Sequence, residues 1–151
     1  MLRFFITVSA LLLMFGCVTQ QSGEFVPFYQ VSTNKPYDDV LAELELAISE
    51  NNFRVTGHSR VGKVIRDRGT KDFPEFDTIQ FCNLTYAKEI LLLDPHTIRY
   101  MPCNVVTYQH EGKTIVRTHL LPADTDNDKL NRFAEQMNER LKAMVDFAVE
   151  E

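Results

Sequence analysis

An α+β domain, with a mainly antiparallel sheet packed against helices, is the fold class that this sequence predicts. Helix-like and strand-like patterns interleave along the chain, which indicates a mixed domain. The segment "HEGK" (110–113) joins two strand patterns and predicts a hairpin, since Gly112 tolerates a positive φ. A long amphipathic helix over 124–151 closes the chain, and its apolar stripe comprises Leu130, Phe133, Met137, Leu141, Met144 and Ala148.

The mature domain begins with a strand followed by a helix. "EFVPFYQVS" (24–32) has a strand composition, and Pro27 confines that strand to a sheet edge or a bulge. "TNKPYDDVLAELELAISENN" (33–52) predicts a helix that Thr33 or Asn34 caps at its N-terminus. Residues at helical spacing give this helix one apolar face, made of Tyr37, Val40, Leu41, Leu44, Ala47 and Ile48.

The central part of the chain alternates between short strands and short helices. Its predicted elements are, in order, a strand (53–59), a short helix (61–69) closed by Gly69, a strand (77–83), a helix (84–93), a strand "TIRYMPCNVVTYQ" (97–109) and a strand "TIVRTHLL" (114–121). The turn "DPH" after residue 93 ends the second of these helices.

The first 16 residues have the pattern of an export signal. Arg3 is followed by an uncharged apolar segment (4–15) that is too short for a bilayer, which needs about 20 residues. Cys17 after a small residue resembles the acylation site of bacterial lipoproteins, where the thiol receives a diacylglyceryl group and palmitate-type acyl chains. Phe15 departs from that pattern, and the alternative is an ordinary signal peptide whose cysteine is discarded.

These observations predict three regions: a signal peptide (1–16), a flexible tether (17–24) with Cys17 as the mature N-terminus, and a domain (25–151). Val18 after the cysteine favours the outer membrane over the inner one. The expected location is therefore the periplasmic side of the envelope, with the membrane as a partner through the N-terminal lipid.

Composition and motifs argue against several functions. The net charge of −5 argues against nucleic acid as a partner, which would require a basic face. The chain lacks GxSxG, P-loop and dinucleotide-binding motifs, so the sequence leans away from an enzyme and names no cofactor. His58 adjoins Ser59, but neighbours in sequence do not make a catalytic pair.

One cluster of basic residues stands out in this acidic chain. Arg60, Lys63, Arg66 and Arg68 lie within nine residues of one another. Such a cluster is typical of a solvated helix face, and its alternative role is contact with an anionic partner or lipid headgroup.

The segments "RVGKVIRDRG", "FPEF", "FCN" with "AKEIL", "DP", "MPCNVVTY" and "HEGKTIVRTHLLP" occur in an order that resembles the DUF302 family. The resemblance runs from about residue 29 to the C-terminus. It implies an α+β fold of the TATA-box-binding-protein-like class, without DNA binding and without a known reaction. Cys82 and Cys103 match the family's local patterns, whereas Asn104 occupies a position where other members often carry arginine.

The two cysteines of the domain have three possible fates in an oxidising compartment: a disulfide, reactive or metal-binding thiolates, or inert burial. If residues 97–109 form one parallel strand, Cys82 and Cys103 lie at similar heights on neighbouring strands. If Pro102 instead makes the strand restart at Cys103, the two thiols lie at opposite ends of the sheet. A metal would need more ligands, and His96 is the weak candidate for a third.

The sequence thus favours a lipid-anchored domain that binds a small ligand or a protein partner. Its predicted site comprises Cys82, Asn83, Pro102 and Cys103. Two alternatives use the same cysteines: a thiol redox or metal-handling protein, and a structural envelope protein with a Cys82–Cys103 disulfide. A low thiol pKa would favour the redox function, and an apolar cavity between helix and sheet would favour ligand binding.

Overall fold

The computed structural model describes residues 27–151, and the predicted signal peptide and tether lie outside them. In chain order the elements are strand β1 (Phe28–Thr33), helix α1 (Tyr37–Glu50), strand β2 (Arg54–Arg60), helix α2 (Val61–Asp67), strand β3 (Phe76–Cys82), helix α3 (Leu84–Leu93), a 3₁₀ helix (Pro95–Tyr100), strand β4 (Cys103–His110), strand β5 (Lys113–His119) and helix α4 (Asp128–Val149).

The five strands form one sheet in the order β1-β5-β4-β3-β2, and every neighbouring pair is antiparallel. This arrangement confirms the predicted α+β class. Helices α1 and α4 pack against each other and against one face of the sheet, where the core lies. The sheet contributes Ile79, Phe81, Val105 and Val116 to that core. No helix within 27–151 is both long and apolar enough to cross a membrane.

The opposite face of the sheet, which we call the open face, contributes no residue to that main cluster among the described residues, although its Ile115 is buried. Side chains alternate between the faces of a strand, so the pairing register identifies its members. They are Phe28, Gln30 and Ser32 on β1; Arg54, Gly57 and Ser59 on β2; Phe76, Thr78, Gln80 and Cys82 on β3; Asn104, Val106, Tyr108 and His110 on β4; and Lys113, Ile115, Arg117 and His119 on β5.

The terminal helices follow the sequence pattern, with one difference at a cap. All six predicted stripe residues of α4 are buried, and the Asn127 side chain accepts from the backbone N–H groups of Lys129 and Leu130. Helix α1 lacks the expected side-chain cap, because Pro36 occupies the N-cap position. The Thr33 hydroxyl instead accepts from the N–H of Lys35, outside the helix.

The prediction of a single strand over 97–109 is wrong. Residues Pro95–Tyr100 form the 3₁₀ helix, a cis Met101–Pro102 peptide bond follows, and β4 begins at Cys103. Local hydrogen bonds override the β-like composition. The Asp94 carboxylate accepts from the N–H of His96, and the buried Thr97 hydroxyl donates to the Asp94 carbonyl.

The hydroxyl of Thr107 is buried on β4 without a hydrogen-bond partner. Replacing Thr107 by valine is expected to raise the free energy of unfolding by about 1 kcal/mol, because the unsatisfied hydroxyl becomes a methyl group of similar size. The matched control is Thr118→Val, since the Thr118 hydroxyl donates to the Asn104 carbonyl at 2.8 Å. That control should lose about 1 kcal/mol. Urea denaturation of both variants tests the prediction, and a loss in both would contradict it.

Candidate functional site

The structure brings Cys82 and Cys103 to neighbouring strand ends. Phe81 is registered against Cys103 in the antiparallel β3–β4 pair, so the end of β3 lies beside the start of β4. The strand does restart at Cys103, but the inference that this separates the thiols was wrong. It assumed a parallel strand, whereas antiparallel pairing keeps both cysteines at one end of the sheet. Both are free thiols in the structure.

The register also sets the direction of the two side chains. Cys103 is paired with Phe81 and shares its helix-covered face, whereas Cys82 is offset by one residue. Because successive side chains of a strand alternate in direction, the Cα–Cβ bonds of Cys82 and Cys103 point to opposite faces of the sheet.

The space beside the thiols is small. A cavity of about 30 Å³ lies between α3, α4 and the sheet, and both cysteines line it together with mostly apolar residues. That volume corresponds to about one water molecule. Burial, and next the nearby Cys82, raise the pKa of the Cys103 thiol from 9.0 to about 11. Cys103 is thus a neutral thiol at physiological pH, unlike a reactive thiolate.

Cys103 is therefore expected to alkylate with iodoacetamide at pH 8 about 100-fold more slowly than an unstructured cysteine, because a pKa two pH units higher leaves about 100-fold less thiolate. Peptide mass spectrometry over time measures the rate. The same chain in urea is the control, and Cys82→Ala should speed the reaction by removing a group that raises the Cys103 pKa. Modification of native Cys103 as fast as in urea would contradict the prediction.

The same shift predicts a dependence of stability on pH. Below pH 9 the thiol is protonated in both the folded and the unfolded chain. Between about pH 9 and pH 11 the unfolded chain releases this proton while the folded chain retains it. The free energy of unfolding contributed by this group therefore falls as the pH rises through that window.

The other predicted residues near the thiols have structural contacts. The Asn83 side chain caps α3 by accepting from the N–H groups of Thr85 and Tyr86, and it donates to the Asn52 carbonyl. Pro102 follows the cis peptide bond. His96 is exposed on the 3₁₀ helix, and the described residues contain no group of three or more histidine, cysteine or acidic residues able to hold a metal ion.

A larger concavity lies at the other end of the sheet, between α1, β2, α2 and the start of β3. We call it the His58 cleft. It measures about 370 Å³ and is lined by Tyr37, Asp38, Leu41, Ala42, Glu45, His58, Arg60, Lys63, Arg66, Glu75 and Asp77. This volume falls within the range of about 300–1,000 Å³ that is usual for small-molecule sites.

A cluster of polar side chains forms the floor of the cleft. Nε2 of His58 lies 2.7 Å from Oδ2 of Asp77, and Nδ1 lies 3.4 Å from Oε1 of Glu45. The Asp77 side chain is 3% exposed, so the contact with His58 offsets the free-energy cost of removing the Asp77 carboxylate from water. The Tyr37 hydroxyl donates to the Thr107 carbonyl at 2.9 Å. Burial, and next the Asp77 charge, raise the Tyr37 pKa, so its hydroxyl stays protonated.

Strand alternation explains how these side chains meet. His58 and Arg60 are two residues apart on β2 and register against Ile79 and Asp77, so all four share the helix-covered face. Ser59 lies on the open face, which removes it from the cleft. The basic cluster is divided as well: Arg60, Lys63 and Arg66 line the cleft, and Arg68 does not.

The walls of the cleft carry opposite charges. Helix α1 contributes Asp38 and Glu45, and the β2–α2 side contributes the three cations. Lys63 pairs with Asp67 at 2.6 Å, and Arg66 pairs with Glu75 at 2.5 Å. Arg60 has no ion pair among the described residues, so it remains available to an anionic group in the cleft.

Gly62 allows helix α2 to approach the backbone before β3 closely, and this contact forms one wall of the His58 cleft. A Cβ atom on Gly62 would lie 2.5 Å from the Pro74 carbonyl oxygen and 2.7 Å from the Phe76 nitrogen. Helix α2 therefore touches the backbone that leads into β3. The Arg66 guanidinium strengthens this junction by donating to the Phe73 carbonyl at 2.8 Å.

The sequence alone did not identify Tyr37, Glu45 or Asp77 as site residues. Asp77 offered one signal: it is a charged residue in phase with the apolar positions Ile79 and Phe81 of the same strand. The grouping itself required the pairing of β2 with β3, because no sequence spacing relates residues on α1 to residues on β3.

Comparisons with known proteins agree with this architecture. The family model DUF302, described as a domain of unknown function, matches residues 29–148. The crystal structure of an uncharacterized conserved DUF302 protein from Bacillus stearothermophilus is similar, with a TM-score of 0.70 and 20% sequence identity. The match covers 82% of this chain and 98% of that one. No curated protein matches the sequence.

Proposed function

The chain belongs to the DUF302 family, and we propose that it is a lipid-tethered accessory domain that binds a small dipolar molecule in the His58 cleft. The cleft volume carries the proposal. About 370 Å³ accommodates a small metabolite, whereas about 30 Å³ beside the thiols does not. Ligand binding, which the sequence favoured, is therefore retained, and its proposed location moves from the cysteines to this cleft.

The charges of the cleft indicate the class of ligand. Arg60 suits a carboxylate or another anionic group, and Asp38 and Glu45 on the facing helix suit an ammonium group or hydrogen-bond donors. The apolar side chains of Leu41 and Ala42 lie on the same helix. A small zwitterion with a short apolar body, such as an amino acid, complements all three features.

The absence of an activated nucleophile favours binding over catalysis. No serine or cysteine lines the cleft among the described residues. The Tyr37 hydroxyl there donates to the Thr107 carbonyl and its pKa is raised by burial, so it is not a hydroxyl that His58 activates. The His58–Asp77 pair instead fixes the imidazole orientation beneath the ligand.

The tether is the second part of the proposal. An apolar segment followed by Cys17 supports lipidation and a position on the periplasmic side of the envelope, favouring the outer membrane. The intact mass of the protein purified from membranes tests this part. A diacylglyceryl increment on Cys17 is expected, and a mature mass without it would overturn the anchor.

Thermal denaturation with a panel of probes tests the ligand site. Free α-amino acids are compared with acetate and with methylammonium at millimolar concentrations. Amino acids are expected to raise the melting temperature, and the single-charge probes are expected to have smaller effects. The amino acids that raise the melting temperature of the wild type should not raise that of Arg60→Gln. The matched control Arg68→Gln removes the same charge outside the cleft and should behave like the wild type. No stabilisation by any amino acid would refute the ligand class.

A redox or structural role of the cysteines is the second candidate, favoured by their position on neighbouring strand ends. The observation against it is the raised Cys103 pKa. Mass spectrometry of the denatured protein with and without reductant separates the functions. A gain of about two hydrogens on reduction would establish a bridge, and we expect no gain.

A further inference from the structure

The open face of the sheet has an uneven distribution of charge. Its strand positions include the cations Arg54, Lys113 and Arg117 and no aspartate or glutamate. The whole chain, in contrast, has 21 acidic and 16 basic residues. The Glu111 carboxylate of the β4–β5 turn approaches His110 at 3.8 Å at one end of this face. The strand positions themselves carry three cations and no carboxylate, which favours a local positive field and an anionic partner.

On β5, beside the edge strand β1, the open face holds a guanidinium with unused hydrogen-bonding capacity. The Arg117 guanidinium carbon lies 3.5 Å from the centre of the Phe28 ring, a cation–π contact. Its Nε atom is buried and has no hydrogen-bond partner. Phe28 is 40% exposed, and the stacked rings of Phe76 and Tyr108 lie on the same face. Aromatic rings beside cations suit the boundary between lipid headgroups and acyl chains.

The cations of the open face favour a membrane over a second copy of this chain as the partner. A second copy packed face to face would bring its cations against the same cations, so a symmetric dimer is disfavoured. The predicted tether adds proximity to lipid: nine residues lie between Cys17 and Pro27, so the Cα atoms of these two residues are at most about 35 Å apart. Phe28, the next residue, is itself on the open face.

We propose that the open face docks on the anionic headgroups of the membrane that carries the protein. Arg54, Lys113 and Arg117 contact lipid phosphates, and Phe28 lies at the level of the headgroups. The inference shares the membrane location with the proposed function, and it does not depend on the ligand in the His58 cleft. It assigns an orientation in which α1 and α4 face away from the bilayer.

Vesicle partitioning of the full chain carrying Cys17→Ser tests the proposal without an acyl chain. Binding to vesicles of phosphatidylglycerol and phosphatidylcholine is compared with binding to phosphatidylcholine alone at low ionic strength. The N-terminal segment, which includes Arg3, is the same in the parent chain and in every variant, so the fall in the ratio of the partition coefficients on substitution isolates the open face. Each cation at an anionic surface contributes a factor of about five. The three cations of the open face are therefore expected to contribute a factor of about 100 to the ratio.

Two double variants make the test specific. Arg54→Gln with Lys113→Gln is expected to lower the ratio about 25-fold. Lys129→Gln with Arg132→Gln removes the same charge from exposed positions of α4 and should change the ratio less than about twofold. Arg60→Gln should leave it unchanged, which keeps this test separate from that of the cleft.

Three outcomes would overturn the assignment. A ratio near one for the parent chain would exclude an electrostatic membrane contact. Equal losses in the two double variants would show a dependence on net charge alone. Displacement from vesicles by duplex DNA at equal phosphate concentration, with the same dependence on Arg54 and Lys113, would identify the face as a reader of phosphate polymers.

Discussion

Replacing His58 by alanine is expected to lower the free energy of unfolding by about 3 kcal/mol. The substitution leaves the Asp77 carboxylate, whose side chain is 3% exposed, without the ring nitrogen 2.7 Å away. Leaving a buried polar group without its hydrogen-bond partner costs about 1–3 kcal/mol, and the upper end applies because the Asp77 side chain is a buried carboxylate. Urea denaturation of the two proteins measures the difference.

A double-mutant cycle with Asp77→Ala identifies the source of that loss. If the contact carries the effect, the double variant should lose less than the sum of the two single variants. His110→Ala is the control, since the His110 side chain is 67% exposed and its nearest carboxylate lies 3.8 Å away. That control should stay within about 0.5 kcal/mol of the wild type. Additive losses in the cycle would contradict the pairing.

Replacing Gly62 by alanine is expected to cost about 2–3 kcal/mol and to abolish binding in the His58 cleft. Alanine normally stabilises a helix interior by about 1 kcal/mol relative to glycine. Here the added Cβ would lie 2.5 Å from the Pro74 carbonyl oxygen and 3.0 Å from the Glu75 Cα. Backbone atoms cannot rotate away as a side chain would. The steric clash therefore outweighs the higher helix propensity of alanine, and the substitution is destabilising.

The consequence for binding follows from the position of α2. To accommodate the methyl group, the helix must move away from β3, and Lys63 and Arg66 move with it. Chemical denaturation gives the stability, and the amino-acid panel gives the binding. Val61→Ala, at a neighbouring position that is 47% exposed, is the control and should change stability by less than about 0.5 kcal/mol. An unchanged or increased stability of Gly62→Ala would contradict the prediction.

Much of the fold followed from local patterns. The apolar stripe of α4 is buried as predicted, α3 occupies the predicted residues, and the β4–β5 turn has a positive φ at Glu111 and Gly112. These features depend on residues close in sequence, whose spacing and conformational preferences are visible in the chain itself. The prediction of one strand over 97–109 was wrong because hydrogen bonds around Asp94 and Thr97 outweighed the strand-like composition of the segment.

The placement of the candidate sites depended on contacts between distant segments. The sequence identified Cys82 and Cys103 as a pair of interest and Arg60, Lys63 and Arg66 as a basic cluster. It could not show that the first pair borders a cavity the size of one water molecule, nor that the cluster lines the His58 cleft. Both facts depend on which strands are neighbours and in which register, because a shift of one residue exchanges the two faces of a strand.

The sequence by itself therefore determined the α+β class, the family resemblance, and most of the helices and strands. The tertiary structure alone decided the order and direction of the strands. That pairing brings His58 to Asp77 and leaves no aspartate or glutamate at the strand positions of the open face. The physical reason is that helix and turn patterns are encoded within one or two turns of chain, whereas strand pairing minimises the free energy of the whole domain through burial of the shared core.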